Sequence, residues 1–130
     1  MIDETLIRES LAARENASAP FSKFKVGAAL RTPEGTVYRG CNVENSTYGL
    51  TVCAERVALL SALAAGERKF TEIVVATQSD EPSTPCGPCR QLMWEYCGDI
   101  DVALVNLDGK RVDYKLSTLF PHPFNFLPEE

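Results

Sequence analysis

Apolar residues recur at two different spacings along the chain, and their alternation predicts a succession of helices and strands. Near the amino terminus, apolar and small residues recur every three or four positions as far as about Asn16, after Asp3, which is suited to cap a helix. The core-facing stripe of this helix consists of Leu6, Ile7, Ser10, Leu11, Arg14 and Ala17. Two further helices are predicted over residues 53–65, which are rich in Ala and Leu, and over about 87–96, with Pro88 in the first turn.

Five short runs that are rich in β-branched and other apolar residues predict strands. These runs cover residues 26–31, 37–41, 73–77, 102–106 and 111–115. The turn residues at 33–35 make the first two strands a hairpin, and the tail from Ser117 onward is Pro-rich and aromatic. The order of elements predicts an α/β fold in a single domain, residues 1–130, with a sheet of about five strands and helices on both faces.

The charge balance restricts the partners that the protein can have. Acidic residues outnumber basic ones 18 to 13, which gives a formal net charge of -5 and a pI near 4.9. Lys and Arg occur singly, without the basic stripe that binding to nucleic acid requires. The first residues are acidic, and no apolar run approaches the roughly 20 residues of a membrane helix. We therefore expect a small-molecule substrate, no nucleic-acid or membrane partner, and a cytoplasmic location.

The cysteines indicate metal chemistry rather than disulfides. The chain has five of them, an odd number that fits a disulfide framework poorly. Cys53 lies two positions before Glu55, Cys86 and Cys89 form a Cys-x-x-Cys motif, and both groups open predicted helices. Three protein thiols leave one coordination position for water, which is the pattern of a catalytic zinc site. Glu55 is close enough in sequence to reach that water and to transfer protons.

The charge of such a site has to be offset by its surroundings. Three thiolates outweigh the charge of Zn²⁺, which weakens its ability to acidify water. Two helix N-termini directed at the sulfurs supply partial positive charge and lower the pKa of the thiols. Arg56, next to Glu55, is predicted to donate hydrogen bonds to the thiolates.

A Cys-x-x-Cys motif alone has other interpretations. It can be half of a structural zinc site, a redox dithiol or two unrelated core cysteines. Residues 86–89 have the Cys-Gly-Pro-Cys sequence of a thioredoxin dithiol, but Thr84 and Pro85 precede them instead of an aromatic residue. A dithiol would also leave Cys53 and Glu55 unexplained. Thiolate ligands suit other soft metals as well as zinc.

Four segments together resemble the cytidine deaminase family in its small homotetrameric, three-cysteine type. They are residues 21–30 (FSKFKVGAAL), 40–45 (GCNVEN), 53–56 (CAER) and 85–91 (PCGPCRQ), in that family's order and spacing. The resemblance implies a three-layer α/β/α fold around a mixed sheet and hydrolytic deamination of free cytidine and deoxycytidine. It also implies one Zn²⁺ per chain, bound by Cys53, Cys86 and Cys89, with Glu55 as the catalytic proton shuttle.

The resemblance further assigns a substrate side. Phe24 would stack on the pyrimidine, Asn42 and Glu44 would hydrogen-bond the ribose hydroxyls, and Ala54 would line the site. Taken without the surrounding motif, Phe24 is better explained as a core residue and the two polar residues as turn formers. A related deaminase that acts on a cytosine-containing antibiotic would share Glu55 and the zinc but would not need the ribose pair.

In this family, each active site also uses residues of neighbouring subunits. The resemblance places Asn45 and Tyr48 among these loop residues, and an aromatic residue near the carboxyl terminus closes the pocket. Phe124 is the candidate for that closure, with Phe126 as an alternative and simple hydrophobic docking of the tail as another.

The remaining chemically distinctive residues have structural interpretations. Cys41 and Cys97 are predicted to be buried small apolar side chains. Trp94 is predicted to pack, and His122, the only histidine, is expected to bind no metal.

Overall fold

The computed structural model describes residues 2–124, so Phe126 lies outside the described part of the chain. The helices are α1 (Glu4–Arg14), α2 (Ala54–Ala64), α3 (Gly87–Cys97) and α4 (Leu116–Leu119). The strands are β1 (Gly27–Arg31), β2 (Val37–Cys41), β3 (Glu72–Ala76), β4 (Asp101–Val105) and β5 (Arg111–Lys115). Every predicted element is present with bounds that agree to within two residues. The sequence did not predict α4, since four residues are too few to show a periodicity.

The strands form one mixed sheet in the order β2-β1-β3-β4-β5. Only β3 and β4 pair in parallel, and the other three pairings are antiparallel. A parallel pair needs a crossover, which α3 supplies between β3 and β4. The crossover brings the start of α3 to the same end of the sheet as the carboxyl end of β3.

The helices cover both faces of the sheet, as the sequence predicts. On one face α1 packs through Leu6 and Ile7 against alternate strand residues such as Ala29 and Val74. The opposite face carries α2, α3 and α4, and its buried side chains form one cluster. That cluster includes Ala28, Leu30, Ala58, Leu59, Ile73, Val75, Met93, Val102, Leu104 and Leu116. The three-layer α/β/α arrangement around a mixed sheet is thus confirmed.

Gly40 in β2 lets α2 approach the sheet very closely. A Cβ atom at this position would lie 2.2 Å from the carbonyl oxygen of Ala54 and 2.4 Å from the amide nitrogen of Ala58. Both are backbone atoms, which cannot move without moving the helix. The absence of a side chain at Gly40 therefore allows the first turn of α2 to pack this close to the sheet.

None of the helices described for residues 2–124 combines the length and apolar character that a bilayer crossing requires.

Candidate metal centre

Three cysteine sulfurs meet where α2 and α3 begin. Cys53 is the N-cap of α2, Cys86 is the N-cap of α3, and Cys89 lies in the first turn of α3. Their sulfur atoms all lie within 4.8 Å of one another, and those of Cys53 and Cys86 are 3.7 Å apart. Zinc bound to thiolates at about 2.3 Å in tetrahedral geometry separates two sulfurs by about 3.8 Å. Cys53 and Cys86 therefore already have the separation that zinc requires, and Cys89 lies close enough to be the third ligand.

The surroundings of the cluster favour a thiolate at Cys53. The side chains of Cys53 and Cys86 cap no backbone N–H group of their own helices, which leaves the sulfurs for other partners. The pKa of Cys53 is lowered to about 6, mainly because Cys89 donates a hydrogen bond to its sulfur. The hydrogen bond with Cys86 and the charge of Arg56 also lower this pKa, whereas burial raises it. The pKa of Cys89 is raised, because its proton is held in the bond to Cys53 and because it is buried. The thiolate is the form of a cysteine side chain that binds a metal.

Arg56 acts on the cluster through its charge. It lowers the pKa of both Cys53 and Glu55, but within residues 2–124 it makes no hydrogen bond to a cysteine sulfur. The hydrogen bonds that the sequence predicted for it thus remain a prediction for the metal-bound state.

Arg90 supports the segment that leads into the cluster, a role that the sequence reasoning missed. Its side chain donates to the carbonyl oxygen of Pro85 at 2.7 Å, to the hydroxyl of Thr84 at 2.9 Å and to the carbonyl oxygen of Leu119 at 2.5 Å. It thereby ties the residues before Cys86 to the last turn of α4. The only signal in the sequence was its position directly after the Cys-x-x-Cys motif.

Glu55 is a buried acid beside the sulfurs. Its residue surface is only 5% exposed, and this burial raises its pKa to about 7, with the negative charge of Cys53 acting in the same direction. An acid with a pKa close to neutrality can take up and release a proton at the same working pH. The position of Glu55 in the first turn of α2 follows directly from its spacing to Cys53.

A pocket of about 200 Å³ opens in front of these groups. One side consists of the starts of α2 and α3, represented by residues 53–55 and Cys86, and is called here the helix wall. Phe24 and Val26, from the loop at residues 21–26, form a second part of the lining, called here the loop wall. The structure thus brings together six of the residues singled out by the sequence. They are Phe24, Asn42, Cys53, Ala54, Glu55 and Cys86.

Asn42 lines the pocket and also holds the loop wall. Its amide donates to the carbonyl oxygen of Phe24 at 2.8 Å and accepts from the backbone N–H of Val26 at 2.9 Å. An amide side chain has a second N–H and a second lone pair, so these two contacts leave capacity for a ligand.

Glu44 lies just beyond the pocket. It accepts hydrogen bonds from the backbone N–H groups of Phe21 and Ser22 at 2.9 and 3.1 Å and from the Ser22 hydroxyl. The Ser22 hydroxyl bond keeps the pKa of Glu44 below its usual value. Glu44 and Tyr48 line an adjoining surface pocket that shares Thr51 with the first.

The other predicted substrate contacts lie at or outside the rim. Tyr48 is 70% exposed and packs edge to face on Phe21, with ring centroids 5.8 Å apart. The Asn45 side chain accepts hydrogen bonds from the amide and hydroxyl of Thr47, and its residue lines neither pocket. Phe124 is 68% exposed, and its carbonyl oxygen accepts a bond from Gln91 at 2.5 Å. Within one chain, the structure does not bring Asn45 or Phe124 to the sulfurs.

The remaining cysteines are outside the cluster. Cys97 and Trp94 pack against the core cluster on the α2–α3 face, and burial raises the pKa of the Cys97 thiol to about 12. Cys41 is half-buried in β2. Among residues 2–124 the cluster that could hold a metal consists of cysteines alone, so His122 is not part of it.

Comparison with known proteins agrees with this geometry. Residues 1–104 match the family model described as cytidine and deoxycytidylate deaminase zinc-binding region. A cytidine deaminase of Sporosarcina psychrophila is 46% identical over 94% of this chain and 90% of its own length. One of Halalkalibacterium halodurans is 47% identical over 93% of this chain and 92% of its own. The crystal structure of a cytidine deaminase from Burkholderia pseudomallei superposes with a TM-score of 0.91 at 49% identity, covering 95% of this chain and 100% of that one.

Proposed function

The chain belongs to the cytidine and deoxycytidylate deaminase family, and on that premise we propose that it hydrolyses free cytidine and deoxycytidine to uridine and deoxyuridine, releasing ammonia. The observation that carries the proposal is the meeting of three cysteine sulfurs and the buried Glu55 carboxyl group at one pocket. The dithiol and antibiotic-deaminase alternatives are not favoured, because the similar proteins named above are cytidine deaminases.

Cys53, Cys86 and Cys89 are the proposed ligands of one zinc ion per chain. A bound zinc ion would supply a Lewis acid that acidifies a water molecule. The start of each helix adds partial positive charge next to the ligand sulfurs. The positive charge of Arg56 has the same effect on Cys53.

Glu55 is the proposed proton carrier. Its carboxylate takes one proton from the attacking water and delivers it to the ring nitrogen. It then takes the second proton from the new hydroxyl group on the attacked carbon, which becomes the carbonyl, and delivers it to the departing amine, which leaves as ammonia. One carboxyl group can perform these transfers in sequence because its pKa of about 7 makes both protonation states accessible. Its burial also keeps bulk water from competing for the proton.

The proposed substrate contacts follow the two sides of the pocket. Phe24, on the loop wall, offers an aromatic face to the pyrimidine. Asn42 and Glu44 are proposed to bind the ribose hydroxyls with the hydrogen-bonding capacity that their loop contacts leave free. Ala54 lines the pocket between Cys53 and Glu55.

We also propose a homotetramer in which neighbouring chains complete each site, acting in the cytoplasm in pyrimidine salvage. Support comes from exposed apolar side chains that line the adjoining surface pocket or lie next in sequence to a pocket-lining residue. They are Phe21, Val43, Tyr48 and Leu50. A neighbouring chain would cover them and bring Asn45, Tyr48 and Phe124 to a site. Light scattering at low micromolar concentration should give four times the chain mass, and a mass of 14.3 kDa would contradict the proposal.

The activity is tested by following the ultraviolet band of cytidine in the presence of purified protein that contains one zinc per chain. Loss of the band with release of ammonia, suppressed after treatment with a strong zinc chelator and restored by added zinc, is the expected result. No change with fully metallated protein would refute the cytidine assignment, and a cytosine-containing antibiotic would then be the next substrate to assay.

A further inference from the structure

The loop wall is held in place by side chains that reach it from other elements. Glu44 binds the backbone of Phe21 and Ser22, and Asn42 binds that of Phe24 and Val26. The backbone at residues 23–25, which carries Phe24, is bound by a separate pair of side chains. That pair has no role in the function proposed above.

The pair consists of Gln78, two residues beyond β3, and Arg14, in the last turn of α1. The Gln78 amide donates to the carbonyl oxygen of Lys23 at 3.1 Å, and its oxygen accepts the backbone N–H of Lys25 at 3.4 Å. Arg14 donates to the same Gln78 oxygen at 2.8 Å and to the carbonyl oxygen of Lys25 at 3.1 Å. Backbone groups on both sides of Phe24 are thus bound by two side chains that also bind each other.

The backbone at this point needs external support. Lys23 has a φ of 61°, in the left-handed region that is unfavourable for a residue with a side chain. Such a conformation is unfavourable for an L-residue and persists where the surroundings enforce it. The bond from Gln78 to the Lys23 carbonyl oxygen acts on the strained residue itself.

We propose that Gln78 and Arg14 are positioning residues for substrate binding, because they fix the 23–25 backbone and thereby hold the Phe24 ring at the pocket. This inference rests on the proposed function, in which Phe24 contacts the pyrimidine. Gln78 itself is exposed and does not line the metal pocket, so it acts through the loop.

The position of Gln78 indicates that it positions the loop rather than stabilising the fold as a whole. Gln78 belongs to neither hydrophobic cluster, so its removal leaves the packing of the sheet intact. The cysteines and Glu55 are on the helix wall, which makes no hydrogen bond to Gln78 within residues 2–124. Loss of the pair should therefore weaken substrate binding and leave zinc content and the chemical step largely unchanged.

The test is the kinetics of Gln78→Ala beside a matched control, Thr32→Val. Thr32 accepts one backbone N–H, that of Thr36, in the turn at the opposite end of β1, so its substitution also removes a side-chain-to-backbone bond but far from the pocket. We expect Gln78→Ala to raise KM for cytidine roughly 3- to 10-fold, the size expected from the loss of a net hydrogen bond. Its kcat and zinc content should stay within about twofold of wild type, and Thr32→Val should leave KM unchanged.

A second arm asks whether Gln78 acts through Phe24. In a Phe24→Ala background, Gln78→Ala should change KM by less than about twofold, because residues that act through a shared partner are not additive. An unchanged KM in Gln78→Ala, a fall in kcat alone, or full additivity with Phe24→Ala would each overturn the proposal.

A third arm does not depend on turnover. Hydrogen exchange of the peptide covering residues 22–28 should be faster in Gln78→Ala than in wild type and Thr32→Val. If wild type fails to deaminate cytidine, the proposed function fails, and this measurement still decides whether Gln78 holds the loop. Unchanged exchange would show that it does not.

Discussion

The helix wall and the loop wall of the pocket are positioned in different ways. On the helix wall, Cys53 and Glu55 lie two residues apart at the start of one helix, and packing of that helix on the sheet fixes both. On the loop wall, Phe24 depends on hydrogen bonds from side chains distant in sequence. Gln78 lies 55 residues from Lys23, and Arg14 lies 64 residues from Gln78. The cysteines and Glu55 are thus held by regular structure, whereas the loop that carries Phe24 is held by individual polar contacts.

The largest effect should come from removing a sulfur of the helix wall. Cys89→Ala should abolish zinc binding and turnover and lower Tm, because two remaining thiols hold the metal far less tightly. Cys97→Ala is the matched control, since Cys97 lies in the same helix but outside the cluster. It should cost about 1 kcal/mol of stability and retain zinc and activity. Zinc analysis and cytidine turnover check both variants, and full activity in Cys89→Ala would exclude it as a ligand.

The next largest effect should follow from Glu55→Gln. The amide cannot transfer protons, so kcat should fall roughly 10²- to 10⁴-fold. Zinc content should be unchanged because Glu55 is not one of the three clustered cysteines that could hold the metal. Tm should be equal to or above that of wild type, because a neutral amide avoids the burial cost that raises the pKa of Glu55. Retention of more than a tenth of the activity would remove Glu55 from the proton transfers.

Two glycine substitutions compare the walls directly. A Cβ at Gly40 would meet backbone atoms of α2, and one at Gly27 would lie 2.1 Å from the carbonyl oxygen of Ser10 and 2.5 Å from the amide nitrogen of Arg14 in α1. Each Gly→Ala variant should lose about 1–3 kcal/mol or more of stability, since backbone must move.

The two variants should differ in function. Gly40→Ala displaces the helix that carries Cys53 and should weaken zinc binding. Gly27→Ala displaces the helix that carries Arg14 and should raise KM for cytidine while zinc is retained. Urea unfolding, chelator competition and steady-state kinetics separate these effects. Identical behaviour of the two variants would mean that the walls are not independent.

The sequence predicted the helix wall far better than the loop wall for a physical reason. Two cysteines at the starts of helices on the same face of a sheet come together once the helices and strands are correctly assigned. The periodicity of apolar residues was enough to assign those elements. The Gln78 and Arg14 contacts depend on the conformation of a loop, which no periodicity encodes. From the sequence, Arg14 was only a member of the core-facing stripe of α1, and Gln78 directly followed the predicted strand 73–77 and had no predicted role.

The smallest effect should come from a charge remote from both walls. Asp3 caps α1 by accepting the N–H of Leu6 and pairs with Arg31 at 2.9 Å, and the Arg31 hydrogen bond lowers the pKa of Asp3. Asn caps a helix about as well as Asp, so Asp3→Asn removes mainly the charge interaction. Because exposed ion pairs contribute little to the free energy of unfolding, the Tm of Asp3→Asn at pH 7 should be lower than that of wild type by no more than a few degrees.

The pH dependence of the Tm difference between wild type and Asp3→Asn shows whether the difference comes from the charge of Asp3. A carboxyl group whose pKa is lower in the folded state stabilises the fold above its unfolded pKa, and this contribution disappears as the pH falls through the folded pKa. The melting curves of wild type and Asp3→Asn should therefore differ at pH 6 and converge as the pH is lowered below 3.8, the ordinary pKa of the Asp carboxyl group. Zinc content and KM should be equal at every pH, because Asp3 and Arg31 are at the end of β1 away from the pocket. A changed KM would show that the charge of Asp3 affects the conformation of the loop wall through α1.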